Sequence, residues 1–126
     1  MRIDLYFDGN VINQGTEKAQ GTASYLLIDK GSGRQKRETI HLGRVTNNEA
    51  EYRGLIQGLE TIKEGFRSKV GLKIFGDSKL VINQINGDWQ AKSPQMRVYR
   101  DKVLDILSRF KSWEASWVPR EENLCT

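Results

Sequence analysis

The chain has a single cysteine, Cys125, among its 126 residues. It can therefore form no internal disulfide and no Cys-rich zinc site, which points to a reducing compartment or to indifference about redox. No stretch approaches the roughly 18 consecutive apolar residues of a membrane span. Met1-Arg2 leads straight into a strand-like run without the flanks of a signal peptide, so a cytoplasmic location and no membrane partner are expected. Low-complexity tracts, internal repeats and linker-like segments are absent, and the expectation is one domain over residues 1–126. No Ser-His-Asp, Cys-His or phosphate-loop arrangement exists. The lone histidine, His41, falls in a predicted strand, and Gly31-Ser32-Gly33 is too short and sits between strands.

What is present describes an ordinary globular domain with a basic bias. Hydrophobic residues make up 37% and charged residues 29%, enough to bury a core. Twenty Lys and Arg against sixteen Asp and Glu leave a net charge of +4, with a pI near 9.3. That excess suits a polyanionic partner, although a solvated mixed surface would produce it too. If several acids cluster as ligands, the remaining surface is more basic than the net charge suggests.

Periodicity orders the elements. Arg2 to Asp8 alternates, with Ile3, Leu5 and Phe7 on one face and Asp4, Tyr6 and Asp8 on the other, as a strand does. A turn-rich stretch, Gly9 to Gly15, follows. Gly21–Asp29 and Lys36–Gly43 are two more strands, completing an antiparallel meander. From Thr46 the period becomes 3.6, with Tyr52, Leu55, Ile56, Leu59, Ile62 and Phe66 in one stripe of about five turns. Thr46 and Glu49 have capping-box spacing. Gly71–Asp77 reads as a strand and Ser78–Ile85 as a short helix. Ser93-Pro94 opens a helix that turns Met96, Tyr99, Val103, Ile106, Leu107 and Phe110 inward, and Trp113–Val118 is the last strand. The order βββαβααβ implies an α/β fold: a five-stranded mixed sheet, meander plus parallel strands, with helices on both faces. Sites in such sheets lie beyond the carboxyl ends of the parallel strands, where Asp8 and Asp77 are expected.

Three acids point to metal chemistry. Glu51 shares a helical stripe with Leu55, Gly58 and Ile62, and a carboxylate directed at a core needs a basic partner or a cation. Asp77 ends a strand before a helix, where an N-cap would be its ordinary use, but Ser78 can cap instead. Asp8, before Gly9, could be a turn acid. Convergence at one end of the sheet makes the three a candidate site for hard divalent cations such as Mg²⁺. Glu49 is explained by capping. Asp4, Asp29, Glu60, Asp88, Asp101 and Asp105 read as solvated charges.

Phe7-Asp8-Gly9, Thr46-Asn47-Asn48-Glu49-Ala50-Glu51-Tyr52, Gly76-Asp77-Ser78-Lys79-Leu80-Val81-Ile82-Asn83-Gln84 and Trp117-Val118-Pro119-Arg120-Glu121-Glu122-Asn123 resemble, in this order and spacing, the segments of type 1 ribonuclease H, in particular its compact archaeal and bacterial branch. The resemblance runs from Asp8 to Asn123. It implies the ribonuclease H-like fold and an endonuclease that hydrolyses the RNA strand of RNA/DNA hybrids, leaving 5′-phosphate and 3′-hydroxyl ends. By the same resemblance, Asp8, Glu51 and Asp77 are catalytic, metal-binding carboxylates. Two Mg²⁺ ions, with Mn²⁺ as a substitute, would activate the attacking water and stabilise the leaving 3′ oxygen. Gly9, Asn13, Asn47, Asn48 and Ser78 match places that meet the hybrid, whose wide minor groove displays 2′-hydroxyls. Lys79 and Lys92, with Arg97 and Arg100, are the cations left to grip phosphate. A monomer is expected.

Three departures accompany the resemblance. The family's fourth carboxylate lies four residues after the match to Asn123, which would be position 127, and the sequence reads to Thr126. The expectation is a domain without the family's C-terminal helix, either because the sequence stops one residue short of a ligand or because this is a natural variant with a weakened second metal site. Only Gly87–Ser93 joins the two later helices, without the basic, Trp-rich insertion of some relatives, so hybrid binding is expected to be weak and salt-dependent. Gln14 stands where the family has Pro, which is expected to loosen the first loop. The alternative function is a hybrid-binding module of the same fold with weakened catalysis. A resolvase or transposase core would share the sheet and acids but not the Asn-Asn-Glu-Ala-Glu-Tyr pattern.

Overall fold

A computed structural model describes residues 1–126. Strands β1 (Arg2–Ile12), β2 (Gln20–Asp29) and β3 (Gln35–Gly43) form the meander. They are followed by α1 (Asn47–Thr61), a single turn α2 (Glu64–Arg67), β4 (Gly71–Gly76), α3 (Lys79–Ile85), α4 (Pro94–Leu107), β5 (Ser112–Trp117) and a 3₁₀ turn at Arg120–Glu122. The sheet order is β3-β2-β1-β4-β5. β1 runs antiparallel to β2 and parallel to β4, and β4 parallel to β5. The five-stranded mixed sheet is the one the element order implies.

The strand pairing fixes one face for Leu5, Tyr25, Leu27, Leu72, Ile74 and Ala115. Against it pack Tyr52, Leu55 and Leu59 of α1, Val81 and Ile85 of α3, and Val103 and Leu107 of α4, all in one continuous core. The helices therefore gather on one face of the sheet rather than on both. The opposite face holds a Tyr6–Phe75 stack with ring centroids 4.9 Å apart. Asp4 lies on this open face and is buried, 3.5 Å from the Arg2 guanidinium and 3.9 Å from the Lys30 ammonium. It is thus not the solvated charge its edge position suggests.

Three element boundaries differ by more than one residue from the periodicity reading. One is the end of α4, which stops at Leu107, so that Phe110 is buried from the segment after the helix rather than from the helix itself. β1 runs on past Asp8 to Ile12, because pairing with β2 continues through Val11↔Gly21 after the parallel ladder with β4 has ended at Tyr6↔Phe75. The apolar stripe after Thr46 is broken at Ile62, which leaves the helix in an extended conformation. The buried Arg67 guanidinium donates to the Ile62 and Leu59 carbonyls, satisfying acceptors that end the helix. Phe66 consequently sits in α2 and is exposed rather than in the core. No helix is long and apolar enough to cross a membrane.

Candidate metal centre

Asp8, Glu51 and Asp77 come from β1, α1 and the end of β4, and each offers a carboxylate oxygen within 4.8 Å of the others. Two glycines permit this approach. A Cβ on Gly9 would collide with the Ala50 and Glu51 backbone, and one on Gly54 would press to 2.9 Å against the Asp8 and Ser24 carbonyls. The missing side chains let α1 lie against β1 closely enough for the Gly9 N–H to donate to Glu51 Oε1. The three side chains, with Gly9, Asn10, Asn47, Ser78 and Arg120, line a polar cleft of about 150 Å³.

Local capping frees the acids for other work. The Val81 N–H donates to Ser78 Oγ at 3.2 Å, so Ser78 caps α3 and Asp77 does not have to. At α1, Thr46 Oγ accepts from the Glu49 N–H at 3.2 Å. Glu49 does not complete the reciprocal half of a capping box: its carboxylate accepts from the Tyr99 hydroxyl at 3.1 Å, and the tertiary partner wins over the local one.

Asp77 is held by a residue whose role is not visible in the linear sequence. The buried Asn123 amide donates to Asp77 Oδ1 at 3.3 Å and to the Phe7 carbonyl at 2.9 Å. Its own oxygen accepts the Cys125 N–H at 3.0 Å. Arg120 also faces Asp77, at 3.9 Å, from a largely exposed position. Both residues belong to the last motif quoted above, and no periodicity or spacing marks them as neighbours of Asp77. On the outer side the Trp117 indole N–H donates to the Asp77 carbonyl at 3.1 Å, and the Lys79 ammonium lies 4.8 Å from the Trp117 ring centroid.

The electrostatics are those of crowded anions. Burial pushes the Glu51 carboxyl up to about 9, with the neighbouring Asp8 charge adding to the effect. Asp8 is also raised, first by burial and then by Asp77, with Arg120 opposing. No base forms an ion pair with Glu51 or Asp8, and Arg120 is too exposed and distant to offset three acids. A hard divalent cation would supply that missing charge, and an all-oxygen donor set with open cleft volume suits Mg²⁺ or Mn²⁺. The residues therefore fit such an ion.

The other residues singled out in the sequence are spread around this cleft. Gly9, Asn47 and Ser78 line it. Asn13 stands in the β1–β2 turn in the left-handed region, with φ 56°. Asn48 is exposed on the first turn of α1, and Lys79 projects over Trp117. Lys92 is exposed in the α3–α4 connection beside Trp89 and Gln90, outside the acid cluster. His41 is exposed on the edge strand β3.

A family model described as reverse transcriptase-like matches residues 7–126. A ribonuclease HI from Halobacterium salinarum is 33% identical over 123 residues, covering 97% of this chain and 59% of that protein. The chain thus spans less than two thirds of that relative's length. The crystal structure of RNase H1 from Halobacterium salinarum superposes with a TM-score of 0.84 at 31% identity, covering 98% of this chain and 89% of that one. LC11-RNase H1, solved in complex with an RNA/DNA hybrid, shares the fold with a TM-score of 0.83 at 24% identity, covering 97% and 88%.

Proposed function

Since the chain belongs to the ribonuclease H family, within the group described as reverse transcriptase-like, we propose that it hydrolyses the RNA strand of RNA/DNA hybrids at the Asp8–Glu51–Asp77 centre. The observation that carries this reading is the convergence of three carboxylates from separate elements with only the exposed Arg120 guanidinium, 3.9 Å from Asp77, set against them. Asp8, Glu51 and Asp77 would hold divalent cations, Mg²⁺ or Mn²⁺. When bound, such ions activate water and stabilise charge on a leaving oxygen, giving 5′-phosphate and 3′-hydroxyl ends.

The chain's own residues supply position. The Gly9 N–H fixes the Glu51 carboxylate, and Asn123 fixes that of Asp77, so two acids arrive oriented and lose little freedom when a cation is bound. Asn47 and Ser78, at the cleft rim, are placed to meet sugar and phosphate of a strand lying across the acids. Gly9 leaves the floor of the cleft without a side chain. Asn13 and Asn48 flank the same end of the sheet, suited to the wide minor groove where the 2′-hydroxyls mark the RNA strand. Lys79 and Lys92 add phosphate contacts further out. The hybrid seated on LC11-RNase H1, a chain of the same fold, supports this choice of substrate.

A substrate panel tests the reading. Hybrid, RNA/RNA duplex and single-stranded RNA are offered in Mg²⁺ and in Mn²⁺. Cleavage confined to the hybrid's RNA supports it. Hybrid retention without cleavage in either metal would instead identify a binding module.

A further inference from the structure

Gln14 is the one residue that bonds the β1–β2 loop to the start of α1. Its side-chain oxygen accepts the Asn47 N–H at 2.7 Å. That N–H is one of the first-turn donors for which the helix itself has no acceptor. Thr46 Oγ takes the Glu49 N–H and the Thr46 carbonyl takes that of Ala50, so Gln14 supplies a cap the local sequence does not.

Hydrogen bonds close the loop that presents Gln14. The Thr16 N–H donates to the Asn13 carbonyl at 3.2 Å, closing a four-residue turn with Gly15 at its third position and φ +83°. A type II turn requires a residue of positive φ there and favours proline at the position Gln14 occupies. The Thr16 hydroxyl donates to the same Asn13 carbonyl at 2.7 Å and accepts the Lys18 N–H at 3.2 Å. Between this turn and the helix start lies an open hollow lined by Gln14, Gly15, Ala19, Arg44, Val45 and Thr46. No other hydrogen bond joins residues 13–19 to residues 44–50. Proline at 14 would stiffen the turn and leave the hollow unbridged; glutamine does the reverse. The expectation that Gln14 loosens the loop is therefore replaced by one in which its side chain anchors it.

We propose that Gln14 is a positioning residue, whose hydrogen bond to the Asn47 amide sets the separation between Asn13 and Asn47 and so the grip on the substrate. The inference rests on the reading of the cleft as a hybrid-cleaving site. Gln14 itself need touch neither the reacting phosphate nor the acids, so its contribution falls on binding rather than on the chemical step.

The test compares steady-state cleavage of an RNA/DNA hybrid by the unaltered chain, Gln14→Ala and Gln14→Glu at moderate salt. The Asn47 amide-proton shift of each is followed by NMR. Gln14→Ala is expected to raise KM roughly three- to tenfold, the factor carried by about one hydrogen bond, with kcat within about twofold. The Asn47 amide resonance should move upfield. Gln14→Glu keeps an acceptor next to a helix N-terminus and should restore both the shift and most of the KM. An unchanged Asn47 shift in Gln14→Ala overturns the tie. A moved shift with unchanged KM, a loss confined to kcat, or equal KM defects in both variants overturns its role in binding. If the unaltered chain does not cut the hybrid, the reading of the site fails and this inference with it. Normal cutting by all three proteins leaves that reading standing and removes only the role of Gln14.

Discussion

Asn123 donates one side-chain amide to the Asp77 carboxylate and to the Phe7 carbonyl, joining the ends of two parallel strands to the segment after β5. This buried amide orients an acid without being one. Residues that hold a metal-binding group in place typically contribute about 10- to 100-fold to affinity or activity. Asn123→Ala is expected to lower hybrid cleavage by a factor in about that range. It also leaves the Phe7 carbonyl unpaired, a loss of roughly 1–3 kcal/mol of stability. Parallel kinetics and thermal melts check both. A variant that melts normally and cleaves normally would show that Asp77 needs no such support.

The crowding of acids predicts an unusual pH dependence for the metal-free protein. Glu51 is raised by burial and by Asp8 to about 9, so between the ordinary carboxyl range near 4.3 and about 9 the folded state holds a proton that the unfolded state has released. Stability contributed by that group is present below the ordinary range and is lost as pH rises through the folded value. Melting temperature in chelator should fall between pH 5 and pH 9. In Glu51→Gln, which can still accept from the Gly9 N–H, the decline should flatten. An equal decline in both proteins would place the cause elsewhere.

Divalent cations should reverse this loss. An ion that binds the folded state alone stabilises it by about 2.7 kcal/mol at a hundredfold excess over Kd. Titrating Mg²⁺ or Mn²⁺ at pH 8 should raise the melting temperature of the unaltered chain, and that of Asp8→Asn much less. No rise in the unaltered chain would count against a metal site.

Hybrid binding is expected to fall steeply with salt, since phosphate contacts release counterions and each contributes a slope of about 0.9 in log–log form. Lys79→Ala should reduce that slope by about one contact and weaken binding uniformly across sequences. An isotherm unchanged between low and moderate salt would exclude this mode of binding.

The Cys125 thiol offers a separate readout of the same region. Burial, with Asp8 contributing, pushes it up to about 12, so alkylation at pH 8 should be slow until the protein is unfolded. Fast labelling of the native chain would mean that the segment after β5 opens readily.

Much of this arrangement is legible in the linear chain because it depends on local periodicity. Alternation in β1, the strand-like composition of β2 and the 3.6 period of α1 place Leu5, Tyr25 and Leu55 in one core, and the resulting element order carries Asp8, Glu51 and Asp77 to one end of the sheet. Tertiary partners decide the rest. Period alone carries the α1 stripe on to Phe66, whereas the guanidinium of Arg67 closes the helix at Thr61. Capping-box spacing assigns Glu49 to Thr46, whereas Tyr99, fifty residues away, takes its carboxylate. Asp4 alternates like a solvent-facing residue, and only the neighbouring Lys30 and Arg2 explain its burial. Asn123 and Arg120 reach Asp77 because β5 lies beside β4, a neighbourhood no spacing reveals.

The most direct measurement is cleavage of an end-labelled RNA/DNA hybrid in Mg²⁺ by the unaltered chain and by Asp77→Asn, with the product ends identified. The account predicts cuts in the RNA strand alone, leaving 5′-phosphate and 3′-hydroxyl ends, and their loss in Asp77→Asn. Equal cleavage by both proteins, or products ending in 3′-phosphate, would contradict a reaction centred on Asp8, Glu51 and Asp77.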